Sequence, residues 1–142
     1  MTVEEIQNEI IEEFELFDNW NDKYAYIIDL GKKLPILAED LKTEDRLIKG
    51  CQSRVWLYAY LEEYNVRFQA DSDAIIVKGL IYLLLRVFDN HPINDIVNSE
   101  LFFLEKIGMA QHLSPTRANG LVAMVKQIKL YALAFQAKQN AS

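Results

Sequence analysis

The chain has 142 residues, of which 51% are hydrophobic and 25% charged, a balance typical of a globular protein. This length suits one hydrophobic core, and neither a repeat nor a Pro-, Gly- or Ser-rich linker divides the sequence, so we expect a single domain over residues 1–142. The formal net charge of −6 and the absence of a clustered basic segment argue against a nucleic-acid-binding protein.

Two helices are predicted at the start of the chain. Thr2 and Glu5 have the spacing of a capping box, which begins the first helix. The apolar residues that follow recur at helical spacing: Val3, Ile6, Ile10, Phe14 and Phe17. A second helix is predicted with Asn21 or Asp22 as its N-cap, and Pro35 ends or bends it.

A β-hairpin is predicted after a polar loop over residues 38–49. In its first strand, residues 53–62, aromatic side chains on one face alternate with aliphatic side chains on the other. A turn at residues 62–65 leads into a second strand, in which Val66, Phe68 and Ala70 alternate with polar residues. This pattern predicts a half-buried antiparallel pair of strands.

The rest of the chain is predicted to be mainly helical. Residues 75–77 could form a short third strand before a buried helix that is broken at residues 90–92. A shorter helix is expected over residues 101–107, with Gly108 as its stop. Ser114 as cap and Pro115 in the first turn begin a long final helix. The order indicates an α+β fold, with a small antiparallel sheet packed against several helices.

No targeting or membrane-spanning segment is apparent in the sequence. The N-terminal residues lack the basic start and the unbroken apolar run of a secretory signal, and the most apolar stretch, residues 79–85, is too short to cross a bilayer. The single cysteine cannot form an internal disulfide, and a free thiol survives in a reducing compartment. We therefore expect a cytoplasmic protein that does not associate with membranes.

Cys51 is the main candidate for chemistry because a cysteine thiolate is a good nucleophile. The cationic residues Arg46, Lys49 and Arg54 lie near it in the sequence and could favour the thiolate. Gly50 would allow another backbone or a partner's cysteine to approach closely. Free cysteines are also commonly buried apolar residues without a chemical role, so position alone leaves both interpretations open.

Other kinds of catalytic or metal site find little support. A cysteine–histidine pair would need His91 or His112, and nothing in the sequence brings either close to Cys51. One cysteine and two widely separated histidines lack the spacing of zinc ligands, and there is no cysteine cluster or glycine-rich phosphate loop. We therefore expect neither a metal nor a cofactor.

Four segments together resemble the SufE family of sulfur acceptors. The segment Gly50-Cys51-Gln52-Ser53-Arg54-Val55-Trp56 is similar to the active-cysteine motif of that family. The other matching segments stand in the family's order at residues 26–35, 71–80 and 113–121. Departures are small: Arg54 replaces a residue that is more often neutral and polar, and Thr116 and Ala118 replace serines.

The resemblance implies a fold shared with scaffold proteins of the IscU type, and a function as a persulfide carrier. A cysteine desulfurase of the SufS or CsdA kind, with its own pyridoxal phosphate, would load sulfur onto Cys51 and be stimulated by its removal. Cys51 would then deliver the sulfur to an iron–sulfur scaffold complex or another acceptor. The sequence separates neither the SufE from the CsdE branch nor a monomer from a homodimer.

The resemblance also implies supporting or partner-binding roles for a small set of residues: Gly50, Gln52, Ser53, Arg54, Asp73 and Arg117. An Asp73–Arg117 ion pair could hold the cysteine loop, although Asp73 could equally cap a helix while Arg117 buttresses the last one. We expect an apolar cavity beneath this loop, because a persulfide needs shelter. Two rival functions stay open, a stand-alone cysteine hydrolase and a non-catalytic binding module.

Overall fold

The computed structural model describes residues 1–141, in which helices surround a three-stranded antiparallel sheet of order β1-β2-β3. The helices are α1 (Val3–Glu15), α2 (Trp20–Gly31), α3 (Ile75–Phe88), α4 (Ile93–Val97), α5 (Phe103–Lys106), α6 (Met109–His112) and α7 (Pro115–Asn140). The strands are β1 (Val55–Glu62), β2 (Asn65–Ser72) and β3 (His91–Pro92). This architecture confirms the predicted α+β class.

The first two helices begin at side-chain caps. The N–H of Glu5 donates to the Thr2 hydroxyl and the N–H of Thr2 donates to the Glu5 carboxylate, each at 3.1 Å, so the predicted capping box is confirmed. The predicted cap of α2 was wrong. Asn19 is the N-cap, and its side chain accepts a hydrogen bond from the N–H of Asp22 at 2.9 Å. Helix α2 ends at Gly31, before Pro35 is reached.

The hairpin has the predicted alternation of faces. β1 and β2 pair from Val55 opposite Ser72 to Glu62 opposite Asn65. The inward side chains of both strands are mostly buried and form the sheet's contribution to the core: Val55, Leu57, Val66, Phe68 and Ala70. The aromatic side chains of β1 lie on the outer face, where the guanidinium of Arg46 lies 5.0 Å from the centre of the Tyr58 ring.

The third strand is not where the sequence predicted it. Residues 75–77 form the first turn of α3, and the strand is instead β3, where His91 pairs with Val66 and Pro92 with Asn65. The chain reverses at Asn90, which has a φ of +67°, and so returns beside β2. A short strand of this kind depends on where the chain returns after α3, and local sequence does not encode that.

Helix α3 is fixed against α2 by a close crossing. A Cβ atom at Gly79 would lie 2.0 Å from the carbonyl oxygen of Ile27, so only glycine allows the two backbones to approach this closely. The core side of α3 also packs against the sheet and includes Leu80, Leu83, Leu84 and Val87. The crossing therefore sets the position of α3 beneath the hairpin.

Helix α7 begins as predicted and returns across the molecule. The Ser114 hydroxyl accepts a hydrogen bond from the N–H of Arg117 at 3.3 Å, and Pro115 is the first helical residue. Gly108 has a φ of +79° and stops α5, as predicted. Helix α4 was not predicted, and its last turn is held by Lys129 of α7, whose ammonium donates to the carbonyls of Ile96 and Ser99. The beginning of α7 lies against the loop before β1.

Candidate functional site

Residues 49–54 form a loop whose ends are both held by hydrogen bonds. At its start, Leu47 pairs with Trp56, and the N–H of Ile48 donates to the Val55 carbonyl at 2.9 Å. Gly50 has a φ of +92°, a conformation that L side chains rarely adopt. The loop that carries Cys51 is therefore short and anchored at both ends, and Gly50 allows its backbone to turn.

The end of this loop is held by two consecutive residues at the end of β2. The Ser72 hydroxyl donates to the Arg54 carbonyl at 2.7 Å, and the N–H of Arg54 donates to the Asp73 carboxylate at 3.1 Å. Ser72 also accepts a hydrogen bond from the N–H of Ala74. These bonds tie the cysteine loop to the junction between β2 and α3.

This geometry replaces both roles that were considered for Asp73. Its carboxylate does not cap α3, whose N-cap residue Ala74 donates to Ser72 instead. The Asp73–Arg117 ion pair is not among the ion pairs within residues 1–141. The side chain of Arg117 is exposed at the start of α7. Asp73 thus acts on the loop through the backbone of Arg54.

The thiol of Cys51 is half-buried against α7. Its Sγ atom donates a long hydrogen bond of 3.5 Å to the carbonyl oxygen of Gly120. Burial raises the pKa of the Cys51 thiol above its ordinary value. The expectation that nearby cationic side chains favour the thiolate is therefore wrong for this conformation, in which Lys49 and Arg54 are exposed to solvent. The resting conformation therefore disfavours the thiolate.

A cavity of about 290 Å³ opens beside the thiol. Its floor consists of buried apolar residues: Val55, Leu80, Ile81, Leu121 and Met124. Its rim is polar and mostly exposed: Gln52, Ser53, Ser114, Thr116 and Arg117. A cavity was predicted beneath the cysteine loop. The one in the structure is apolar only at its base.

The structure brings most, but not all, of the predicted site residues to this cavity. Gln52, Ser53 and Arg117 line it together with Cys51. Gly50 shapes the loop, whereas Arg54 and Asp73 anchor it without lining the cavity. Sequence reasoning missed the part played by Gly120, which meets the sulfur. A glycine inside an otherwise helical pattern was the available signal, since it costs helix stability unless close packing requires it.

Neither histidine belongs to this site. His91 is only 7% exposed in β3, and its Nε2 atom has no hydrogen-bond partner within residues 1–141. Burial lowers the pKa of His91. The ring of His112 stacks on that of Trp20 at 4.0 Å. Neither histidine lines the cavity beside Cys51. The alternative function, a stand-alone cysteine hydrolase, would therefore have no histidine beside the thiol to act as its general base.

Residues 1–141 contain neither a cluster of metal ligands nor a membrane-spanning helix. Within residues 1–141, no three histidine, cysteine or acidic side chains converge in a way that could hold a metal ion. None of the helices in that range has both the length and the apolar character needed to span a bilayer.

Comparisons with known proteins agree with the sequence motifs. The family model named SufE, described as an Fe-S metabolism associated domain, matches residues 8–132. An uncharacterised SufE-like protein of Rhizobium etli is 40% identical over 127 residues, covering 86% of each chain. Another from Rhizobium meliloti is 39% identical over 127 residues, covering 86% of this chain and 91% of that protein.

A solved structure supports the fold separately. The solution structure of a hypothetical protein from Thermus thermophilus superposes with a TM-score of 0.75 at 18% sequence identity. The match covers 91% of this chain and 94% of that protein. At this identity the likeness concerns the fold alone, which confirms the arrangement of sheet and helices described above.

Proposed function

We propose that this chain, which belongs to the SufE family and is thereby associated with iron–sulfur metabolism, carries sulfur as a persulfide on Cys51. The observation that carries the proposal is the position of the only thiol in the chain. Cys51 lies on a glycine-turned loop, beside a cavity large enough for an added sulfur atom, with one long hydrogen bond holding its Sγ atom. A buried cysteine with a purely structural role would need neither the loop nor the cavity.

The proposed transfer is an exchange between a thiolate and a persulfide. The Cys51 thiol first loses its proton, and the thiolate then attacks the outer sulfur of a persulfide held on a cysteine desulfurase. A sulfur–sulfur bond forms on Cys51 as the bond on the desulfurase breaks, and the desulfurase cysteine leaves as a thiolate. No electrons are gained or lost overall, so the chain needs no redox cofactor for this step.

The partner must change the state of the thiol before transfer. In the resting conformation burial raises the pKa of Cys51, and the donated hydrogen bond to Gly120 retains the proton. Outward movement of residues 49–53 would break that bond and return the thiol to water, where a larger fraction ionises. Binding of the desulfurase would supply the energy for this movement. This coupling would restrict transfer to the correct partner.

The cavity suits the loaded state. After transfer, the loop would return and place the outer sulfur over the apolar floor, away from reductants in solution. The exposed guanidinium of Arg117 lies on the rim, where a cationic group could stabilise the anionic form of a persulfide. The sulfur would next pass to an iron–sulfur scaffold complex or another acceptor. Such a carrier would function in the cytoplasm beside a SufS- or CsdA-like desulfurase.

An assay of sulfur loading tests the proposal directly. The protein is incubated with an active cysteine desulfurase and L-cysteine, and its intact mass is measured before and after treatment with a reductant. We expect a gain equal to one sulfur atom that maps to Cys51 and disappears on reduction. Cys51→Ser is the matched control, which should still bind the desulfurase but accept no sulfur. An unmodified wild-type thiol beside a working desulfurase would refute the proposal.

A further inference from the structure

The cavity beside Cys51 is larger than a single added sulfur atom requires. Its volume is about 290 Å³, and a sphere of this volume is about 8 Å across, whereas one sulfur–sulfur bond lengthens the side chain by only about 2 Å. A persulfide would therefore fill only the part of the cavity nearest to Cys51. The remaining space is bounded by α3 on one side and by the start of α7 on the other.

The polarity of the cavity changes from its base to its rim. Buried apolar side chains form the base, and Met124 adds a polarisable thioether to them. Within residues 1–141, Arg117 on the rim is the only charged residue that lines the cavity, and it belongs to no ion pair. A ligand that suits this cavity is apolar and polarisable along its length and negatively charged at its outer end.

A persulfide with one added sulfur atom matches this arrangement poorly. Its negative charge lies on the outer sulfur, one bond from Sγ, and Sγ rests 3.5 Å from the carbonyl oxygen of Gly120. Carbonyl oxygens carry partial negative charge, so an anion beside one is destabilised. In a longer chain of sulfur atoms the inner atoms are uncharged, and the negative charge moves to the far end, away from this carbonyl group.

We propose that Cys51 carries a polysulfide, a chain of roughly two or three added sulfur atoms that lies in this cavity. This inference rests on the proposed function of Cys51 as a persulfide carrier and extends it from one sulfur atom to a small store. The inner sulfur atoms contact the apolar base, and the anionic terminal sulfur lies towards the guanidinium of Arg117. Because the chain has only one cysteine, each further sulfur must be added to the one before it.

The chain grows by the same exchange that loads the first sulfur. The outer sulfur of the loaded Cys51, as an anion, attacks the outer sulfur of a new persulfide on the desulfurase. A sulfur–sulfur bond forms at the end of the chain, the bond on the desulfurase breaks, and the desulfurase cysteine leaves as a thiolate. No electrons are gained or lost overall, so this step needs no oxidant and no reductant.

Delivery removes sulfur from the outer end of the chain. A thiolate of the acceptor attacks the terminal sulfur, the bond to the next sulfur breaks, and the shortened chain keeps the negative charge. One loaded protein could thereby supply more than one sulfur atom during a single encounter. Since even a [2Fe–2S] cluster contains two sulfur atoms, such a store would reduce the number of encounters that each cluster needs.

Intact mass spectrometry without reductant tests the inference. The protein is incubated with an active desulfurase and an excess of L-cysteine, and samples are taken over time. We expect the adduct of one sulfur atom to appear first, followed by heavier adducts that differ from it by whole sulfur atoms. A reductant should remove all of them, and the same mixture without the desulfurase should contain none.

Val77→Phe narrows the cavity without changing the cysteine loop. Val77 lines the cavity from the first turn of α3 and is only partly buried, so the larger ring enters the cavity rather than the core. The share of chains with more than one sulfur should fall about fivefold or more, which corresponds to the lower end of overpacking energies, while the first sulfur still loads. Ile75→Phe is the matched control, since Ile75 is 66% exposed in the same turn and does not line the cavity.

The outcomes separate this inference from the proposed function. A wild type that gains no sulfur beside a working desulfurase would refute both. An adduct of one sulfur that never grows would leave the carrier function intact and overturn the polysulfide. Longer chains that form equally well on a folded Val77→Phe would also overturn it, because they would lie outside the cavity. Should Val77→Phe fail to fold, Thr116→Phe takes its place and narrows the cavity from the exposed rim.

Discussion

The Sγ atom of Cys51 lies 3.5 Å from the carbonyl oxygen of Gly120, and a Cβ atom at position 120 would lie only 3.3 Å from that sulfur. The two residues are far apart in the sequence, on the loop before β1 and in the second turn of α7. The lack of a side chain at Gly120 is therefore what allows the thiol to rest against the helix. Small changes at this contact should alter the exposure of the thiol.

Gly120→Ala should push the cysteine loop outward and expose the thiol. The added methyl group would lie closer to Sγ than an ordinary van der Waals contact allows. The cysteine loop can move away more easily than the helix can. We expect faster reaction of Cys51 with Ellman's reagent. Alanine is also the better helix former, by about 1 kcal/mol, so stability should not fall.

The stability of Gly120→Ala should be measured by urea unfolding, both in the wild-type background and together with Cys51→Ser. The smaller serine oxygen relieves the contact with the new methyl group, so the second measurement isolates the gain in helix propensity. A reaction rate equal to that of the wild type would show that the loop does not respond to position 120.

Alkylation of Cys51 should depend on pH in the direction set by burial. Because burial raises the pKa of the thiol, the folded protein binds this proton more tightly than the unfolded chain does. The stability that this bound proton gives the folded state is present at pH values below the ordinary thiol pKa. It is lost as the pH rises through the raised pKa of the folded protein. The rate of reaction with iodoacetamide should therefore reach its midpoint at a higher pH in the folded protein than in urea. Identical midpoints would contradict the buried, protonated resting state.

Asp73→Ala should loosen the end of the cysteine loop. The variant removes the acceptor for the Arg54 N–H, which we expect to cost about 1 kcal/mol of unfolding free energy and to speed hydrogen exchange at that amide. Asp73→Asn keeps an oxygen acceptor and should have a smaller effect. Asp40→Ala is a matched control, since Asp40 is an exposed carboxylate outside the cysteine loop. Unchanged exchange at Arg54 would argue against this anchor.

Gly79→Ala should be strongly destabilising, unlike the change at Gly120. A Cβ atom at position 79 would lie 2.0 Å from the Ile27 carbonyl oxygen, which forces α2 and α3 apart. Overpacking of this kind costs about 3 kcal/mol, and the better helix propensity of alanine recovers only about 1 kcal/mol of it. Urea unfolding should therefore show a net loss, whereas a stable variant would mean that the crossing can relax.

The elements that were predicted correctly have local signals. The capping box of Thr2 and Glu5, the alternation along β1, and the Ser114-Pro115 start of α7 each involve residues within a few positions of one another. The misplaced third strand had no such signal. Residues 75–77 are β-branched and apolar, but they form the first turn of α3, whose buried residues begin only at Gly79, so the packing that fixes this helix lies beyond them in the sequence.

By itself the sequence determined the fold class and the family, and it singled out Cys51 as the candidate reactive residue, since motifs and periodicities depend only on neighbouring residues. The tertiary structure alone decided the environment of that residue. Burial against α7 raises the pKa of Cys51, against the expectation from nearby cationic residues, and the Gly120 carbonyl accepts the hydrogen bond of the thiol. Desolvation and hydrogen bonding depend on atoms that the folded chain brings together from distant positions, and no local pattern records them.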